Sequence, residues 1–175
     1  MLAALLLSTL VATSAPADQT LQVAPLPRDG QVLVSFRLAQ ELTEEVRTAI
    51  HSGMTVSFIY KVELRRGSSV WFDRTLASAV VRATVRYDNL TRRYNIGRTV
   101  DGATLEEQTT DSLEVAWAWL TSKFDKLPLF SSLSLESNGE YYVRVRAHTA
   151  PRNAPFVWPW QGDDVVGFSK FTLIR

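Results

Sequence analysis

The amino-acid sequence predicts an α+β domain, in which two helices pack on one face of a strongly twisted antiparallel β-sheet of about six strands. Three observations support this fold class. Apolar and polar residues alternate over several strand-length segments, turn signals join some of these segments, and two further segments have helical periodicity. Hydrophobic residues make up 46% of the 175 residues and there is no Cys, so we expect a core large enough to be stable without disulfides.

The first part of the domain is predicted to contain one strand and one short helix. Residues 18–30 contain prolines and have no clear period, which favours a loose lead-in. Residues 31–38 alternate and predict a strand. Residues 42–53 predict a helix, because Thr43 suits the N-cap and Gly53 suits the left-handed position after the last turn. The apolar face of this helix consists of Leu42, Val46, Ala49 and Ile50.

The middle of the chain is predicted to be an antiparallel meander with one face in water. Alternating segments cover residues 54–65, 75–87 and 92–100, and the turn signals Gly67-Ser68 and Asp88-Asn89 separate them. Strands joined by short turns pair with their neighbours in sequence, and one face of such a sheet usually packs on the core.

A second helix is predicted after a polar loop at residues 101–110. Asp111 to Glu114 has the spacing of a capping box, with Asp111 as the N-cap. Lys123 and Lys126 are expected to complement the C-terminal end of this helix, and Pro128 to stop it. Its wide apolar arc favours packing against a sheet and consists of Leu113, Val115, Ala116, Trp117, Trp119, Leu120 and Phe124.

The C-terminal part is predicted to add two strands. Residues 139–149 form the clearest alternating segment of the chain. A Pro- and Trp-rich connection over residues 150–164 leads to a last strand over residues 165–174. We therefore expect residues 31–175 to form a single α+β domain.

An export signal is predicted at the N-terminus. Residues 2–12 are an apolar run of the length typical of a signal peptide, and too short for a bilayer, which needs about 20 apolar residues. Small residues favour cleavage after Ala17, with Ala15 as the alternative, so residues 1–17 are the predicted signal peptide. No Lys or Arg precedes the run, which leaves an upstream start codon open; an uncleaved signal anchor is the other interpretation. The predicted location is the periplasm, without a transmembrane span after cleavage.

Composition excludes several kinds of site. The formal net charge of +1 argues against a nucleic-acid-binding protein, which usually carries a basic excess. Without Cys there is no thiolate nucleophile, no thiolate–metal site and no lipidated N-terminal Cys. We predict no cofactor.

Three stretches of the chain carry a family resemblance. They are SGMTVSFIYKVELRRGSSVWFDR, YDNLTRRYNI and GEYYVRVRAH. Together they resemble the bacterial domain-of-unknown-function family 4390, small exported proteins, over roughly residues 31–175. The resemblance implies an export signal and an antiparallel sheet with a packed helix. It implies no reaction and no catalytic or binding residues.

Several arginines are predicted to share a wet face of the sheet. Side by side they would form a cationic strip able to bind phosphate or carboxylate in bidentate fashion. Lipid headgroups and anionic envelope polymers are the candidate ligands. The alternative is that these side chains only pair across strands with Glu63, Asp73 and Glu140. The candidate residues are Arg82, Arg86, Arg92, Arg144 and Arg146, with Tyr142 among them.

A second candidate binding segment lies in the connection before the last strand. Phe156 to Trp160 contains two Trp held by prolines, and Trp158 and Trp160 are of the type favoured at protein interfaces. The alternative is that the segment covers an open edge of the sheet. We regard these interpretations as equal.

Catalytic and metal-binding patterns are weak. His51 and His148 lie far apart without metal-ligand spacing, and both are predicted to be surface residues. Neither a nucleophile elbow nor a phosphate loop is present in the sequence. The predicted function is therefore a non-catalytic envelope accessory that binds a protein or an anionic partner. The alternatives are a small hydrolase using Asp73 with His148, and a carrier of lipid inside the sheet.

Overall fold

The computed structural model describes residues 20–67, 74–149 and 165–174. These ranges form nine strands and two helices. The strands are β1 (Thr20–Arg28), β2 (Gln31–Ala39), β3 (Val56–Arg66), β4 (Arg74–Asp88), β5 (Arg93–Val100), β6 (Ala103–Thr110), β7 (Phe124–Ser131), β8 (Glu140–Thr149) and β9 (Val165–Thr172). The helices are α1 (Glu44–His51) and α2 (Leu113–Thr121).

The strands form two open antiparallel sheets. The larger sheet has six strands in the order β6-β5-β4-β3-β8-β9, and the smaller has three in the order β1-β2-β7. Asp101 and Gly102 turn the chain between β5 and β6 with φ values of 49° and 86°, which are typical of a two-residue hairpin turn. The α+β class, the six-stranded antiparallel sheet and the meander are confirmed. The three-stranded sheet was not predicted.

The core lies between the inner face of the six-stranded sheet and the elements that cover it. Tyr60 of β3 has its ring centroid 4.9 Å from that of Phe36 in β2. Its hydroxyl donates to the carbonyl oxygen of Leu120 in α2 at 2.5 Å. From α1, Val46 and Ile50 are fully buried. Both helices and the smaller sheet therefore pack on one face, and the outer face of the larger sheet carries the alternate, more polar residues.

The helices begin and end where local chemistry favours it, with two differences from expectation. Thr43 caps α1 by accepting a hydrogen bond from the backbone N–H of Val46, and Gly53 has a φ of 80° after its end. The N-cap of α2 is Ser112, which accepts from the N–H of Val115, so the prediction of Asp111 was wrong. α2 also ends earlier than predicted, at Thr121, well before Lys126 and Pro128.

Two segments predicted to be irregular are edge strands. The expected lead-in at residues 18–30 contains β1, in which Pro25 and Pro27 are accepted because a missing N–H can face away from β2, its one partner among the described strands. The expected loop at residues 101–110 contains β6, which pairs with β5 alone in the described part of the chain. Seven of the eight side chains of β6 are exposed, so its sequence needs no alternation.

The segment predicted as the end of the second helix is β7 instead. It pairs with β2 at the other edge of the smaller sheet, where Pro128 is again tolerated. Two register shifts interrupt this pairing, and Lys126 has a φ of 47°. Because of these irregularities, apolar and polar residues do not alternate regularly along β7. The sequence of this segment was therefore predicted to be the end of the second helix.

The two sheets approach each other most closely where β1 crosses β9. A Cβ atom placed on Gly167 would lie 2.1 Å from the backbone oxygen of Leu21. Only a residue without a side chain allows β1 to pass at this distance. The contact therefore closes one end of the core.

Candidate anion-binding face

The outer face of the six-stranded sheet brings together basic residues from four strands. Strand alternation and register place Lys61 beside Arg146, Glu63 beside Arg144, and Arg65 beside Tyr142. β9 continues the last of these rows with Lys170. We call this surface the basic face; its cations are Lys61, Arg65, Arg82, Arg86, Arg144, Arg146 and Lys170.

A single carboxylate lies at the centre of the basic face. Glu63 is only 5% exposed, and its Oε2 accepts hydrogen bonds from Nε of Arg144 at 2.9 Å and from Nη2 of the same residue. Nζ of Lys61 lies 3.3 Å from Oε1. Guanidinium nitrogens of Arg65 and Arg146 lie 3.9 Å and 3.8 Å from Oε2. We call these five residues the Glu63 cluster.

The Glu63 cluster carries an excess of positive charge. Burial by itself raises the pKa of Glu63, but hydrogen bonds and positive charges from Arg144 and Lys61 outweigh it, and the pKa lies below its ordinary value of 4.5. The carboxylate is therefore ionised at neutral pH and balances one of its four cationic neighbours. The expected cross-strand pairing with Glu63 is confirmed, and in this cluster one carboxylate is shared by four cations.

The low pKa of Glu63 predicts a loss of stability in acid. A carboxyl whose pKa is lower in the folded state stabilises the fold fully above its unfolded pKa, and this contribution disappears as the pH falls through the folded pKa. We expect Glu63→Gln to be less stable than the native chain at pH 7, and the difference to narrow below about pH 4.5.

Urea unfolding of both proteins at pH 7 and pH 3 measures this difference. Glu107→Gln on the exposed strand β6 is the matched control and should show no comparable change. If the free energies of unfolding of Glu63→Gln and the native chain differ by the same amount at both pH values, the role of the ionised Glu63 is contradicted.

The remaining predicted arginines lie at different distances from the Glu63 cluster. Arg82 and Arg86 are on the outer face of β4, separated from β8 by β3. Neither makes a side-chain hydrogen bond or ion pair with the described part of the chain. Arg92 does not open a strand as predicted; it is exposed in the turn before β5, with a φ of 56°. The structure thus unites Arg82, Arg86, Arg144 and Arg146 on one face and leaves Arg92 at the end of the sheet.

Of the three aromatic candidates, only Tyr142 lies within the described residues. Tyr142 is half-buried on the basic face, and the guanidinium carbon of Arg65 lies 5.8 Å from its ring centroid. Trp158 and Trp160 lie outside the described residues, as do Asp73 and the predicted signal peptide. Their predicted roles remain predictions.

Sequence reasoning missed three members of the basic face. Lys61 and Arg65 alternate with Glu63 on β3, so their common face was readable from the sequence. Their position beside Arg144 was not, because it depends on the pairing of β3 with β8. Lys170 likewise joins the face only through the register of β9.

A shallow concavity of about 600 Å³ lies beside the basic face, over β4 to β6. Gly97 forms part of its lining, where a Cβ would approach Thr84 Oγ1 to 3.0 Å. Arg86 and Glu107 place opposite charges in this lining, and its other residues are mainly uncharged and polar.

The histidines and acids of the described ranges do not assemble a metal site. Among residues 20–67, 74–149 and 165–174, no three His, Asp or Glu side chains are grouped so as to hold a metal ion. His51 Nε2 is 2.8 Å from the hydroxyl of Tyr94, and His148 is exposed on the outer face of β8. Both histidines are at the surface, as predicted. No helix in the described part of the chain is long and apolar enough to cross a membrane.

A buried arginine on the inner face of the sheet was also missed by sequence reasoning. The side chain of Arg98 is 4% exposed, and its Nη2 donates to the carbonyl oxygen of Lys123 at 2.7 Å. Its guanidinium carbon lies 4.2 Å and 4.5 Å from the ring centroids of Trp119 and Phe124. Burial lowers the pKa of Arg98, and Glu106, at 3.2 Å, opposes this effect.

Comparison with known proteins identifies a family and gives no closer relative. Residues 19–157 match the family described as domain of unknown function DUF4390. The match begins earlier than the resemblance in the sequence suggested and ends before β9. No curated protein and no solved structure matches the chain significantly. Since the match covers most of its residues, the chain belongs to the DUF4390 family.

Proposed function

We propose that this protein is a non-catalytic accessory of the cell envelope, exported to the periplasm, which binds an anionic partner through its basic face. The observation that carries the proposal is the Glu63 cluster, in which one buried carboxylate faces four cations. The apolar run at residues 2–12 and the small residues after it support export.

Charge distribution supports the choice of an anionic ligand. The chain as a whole has a formal charge of only +1, so the excess on the basic face is a local concentration of charge. Guanidinium groups bind phosphate and carboxylate through paired N–H donors, and Arg82 makes no ion pair within the described residues that would compete. A partner with several negative groups could therefore contact cations from β3, β4 and β8 at once.

The structure also determines which variants test the proposal. Exchanging Arg144 for Glu is unsuitable, because Arg144 holds the buried Glu63 and its loss would affect folding. Lys61 and Arg146 are better choices, since their side chains are 53% and 36% exposed and lie farther from the carboxylate.

We expect Lys61→Gln with Arg146→Gln to weaken binding to a phosphate-bearing matrix such as phosphocellulose. Each cation near an anionic surface contributes about 1 kcal/mol, so the loss of two cations should weaken binding by about thirtyfold. The salt concentration at elution measures it. The control is Arg28→Gln with Arg37→Gln, which removes the same charge from exposed positions on β1 and β2. Equal shifts in both double variants would show dependence on net charge alone and overturn the proposal.

A further inference from the structure

Exposed apolar side chains lie directly beside the cations of the basic face. On the outer face of β9, Phe168 is 67% exposed and Val166 is 48% exposed. Phe168 is the cross-strand partner of Arg144, and Val166 is the partner of Arg146. On the opposite flank, Val80 of β4 is 39% exposed. The basic face is therefore bordered by apolar groups on two sides.

Isolated exposed apolar residues are common and need no explanation. This arrangement is different because it repeats in two adjacent rows of the sheet. Reading across the strands, one row is Val80, Lys61, Arg146 and Val166; the next is Ser78, Glu63, Arg144 and Phe168. In both rows an arginine of β8 is followed by an apolar side chain of β9, so a ligand that extends from β8 to β9 meets a positive charge first and an apolar group next.

We propose that the anionic partner is the surface of a lipid bilayer that contains anionic phospholipids. This inference rests on the proposed function and specifies its ligand. Headgroup phosphates complement Lys61, Arg82 and Arg146, while Phe168 and Val166 enter the boundary between headgroups and acyl chains. A soluble polyanion or an acidic protein surface would use the cations and gain little from an exposed Phe between them.

In the described part of the chain, the packing of the six-stranded sheet leaves its outer face accessible to a bilayer surface. Both helices and the smaller sheet pack on the inner face, so no described element stands over the outer residues of β3, β8 and β9. Basic and aromatic side chains projecting from one face of a sheet can reach a planar surface together. Burial of an exposed Phe side chain contributes enough to change affinity by about tenfold or more.

Vesicle co-sedimentation tests the inference. Two kinds of vesicle are compared. One contains phosphatidylcholine with about 30 mol% phosphatidylglycerol, which gives it the negative surface charge that attracts basic proteins. The other contains phosphatidylcholine alone. We expect binding to the anionic vesicles only, about tenfold weaker for Phe168→Ser and weaker to a smaller extent for Val166→Ser. Leu90→Ser is the control, because Leu90 is 95% exposed in the turn after β4 and should leave binding unchanged.

Combination with the phosphocellulose assay separates the two proposals. Loss of vesicle binding by Phe168→Ser with unchanged elution from phosphocellulose supports the lipid surface. If Phe168→Ser binds vesicles as well as the native protein does, while Lys61→Gln with Arg146→Gln weakens binding in both assays, the basic face binds anions by charge alone and the lipid inference is overturned. If the double variant changes neither assay, the proposed function itself fails. The unfolding midpoint of each variant is measured as well. A midpoint equal to that of the native protein shows that binding is compared between folded proteins.

Discussion

Arg98→Ala is expected to lower the free energy of unfolding by about 3 kcal/mol or more, the largest loss that we predict for one side chain. Arg98 fills the space between Trp119 and Phe124, so its removal leaves a cavity inside the core. It also removes the donor that satisfies the carbonyl oxygen of Lys123. The loss of this part-buried hydrogen bond adds about 1 kcal/mol to the cost.

Two further variants separate volume from charge at this position. Arg98→Met keeps most of the volume and should cost about 1–2 kcal/mol, the range of a lost buried hydrogen bond. Glu106→Gln should cost less than about 1 kcal/mol, because the Glu106 side chain is 45% exposed and its ion pair with Arg98 is screened by water. Chemical denaturation measures all three. Equal losses for Arg98→Ala and Arg98→Met would show that charge, not packing, determines the cost.

Gly167→Ala is expected to destabilise the protein by about 1–3 kcal/mol, although it adds one methyl group. That methyl group would lie 2.1 Å from the backbone oxygen of Leu21, which cannot move without shifting β1. We therefore expect β1 to separate from β9 and the amide protons of β1 to exchange faster.

The matched control for this glycine is Gly67→Ala. Within the described ranges, no atom lies within 4 Å of a Cβ placed on Gly67, and the substitution should be nearly neutral. Urea unfolding and hydrogen exchange compare the two variants. If both behave alike, β1 does not approach β9 as closely as the structure shows.

Positive charge has a different role on each face of the six-stranded sheet. On the inner face Arg98 is enclosed by aromatic rings and its hydrogen bond is internal, so it serves the fold. On the outer face Glu63 balances only part of the charge around it. The residues that we propose for binding are those whose removal should cost little stability, namely Lys61 and Arg146.

Elements with a regular period were predictable from the sequence, and elements without one were not. β3 and β8 alternate in sequence because one face of each packs its apolar side chains into the core and the other carries mainly polar and charged side chains. β6 has almost no buried side chain, and β7 has an interrupted register, so neither carries the period of two. β1 contains prolines, which usually indicate a loop. Its position at the edge of a sheet is evident only from its pairing with β2.

The sequence by itself determined the fold class, five of the six strands of the larger sheet and the alternation that puts Arg144 and Arg146 on one side of their strand. Only the tertiary structure decided that Glu63 lies between them and two further cations. Its partner Arg144 is 81 residues away in the chain, and a shift of the β3–β8 register by one residue would point Glu63 into the core. Alternation within each strand determines which face a side chain takes, but the pairing of β3 with β8 is a long-range contact that local patterns do not specify.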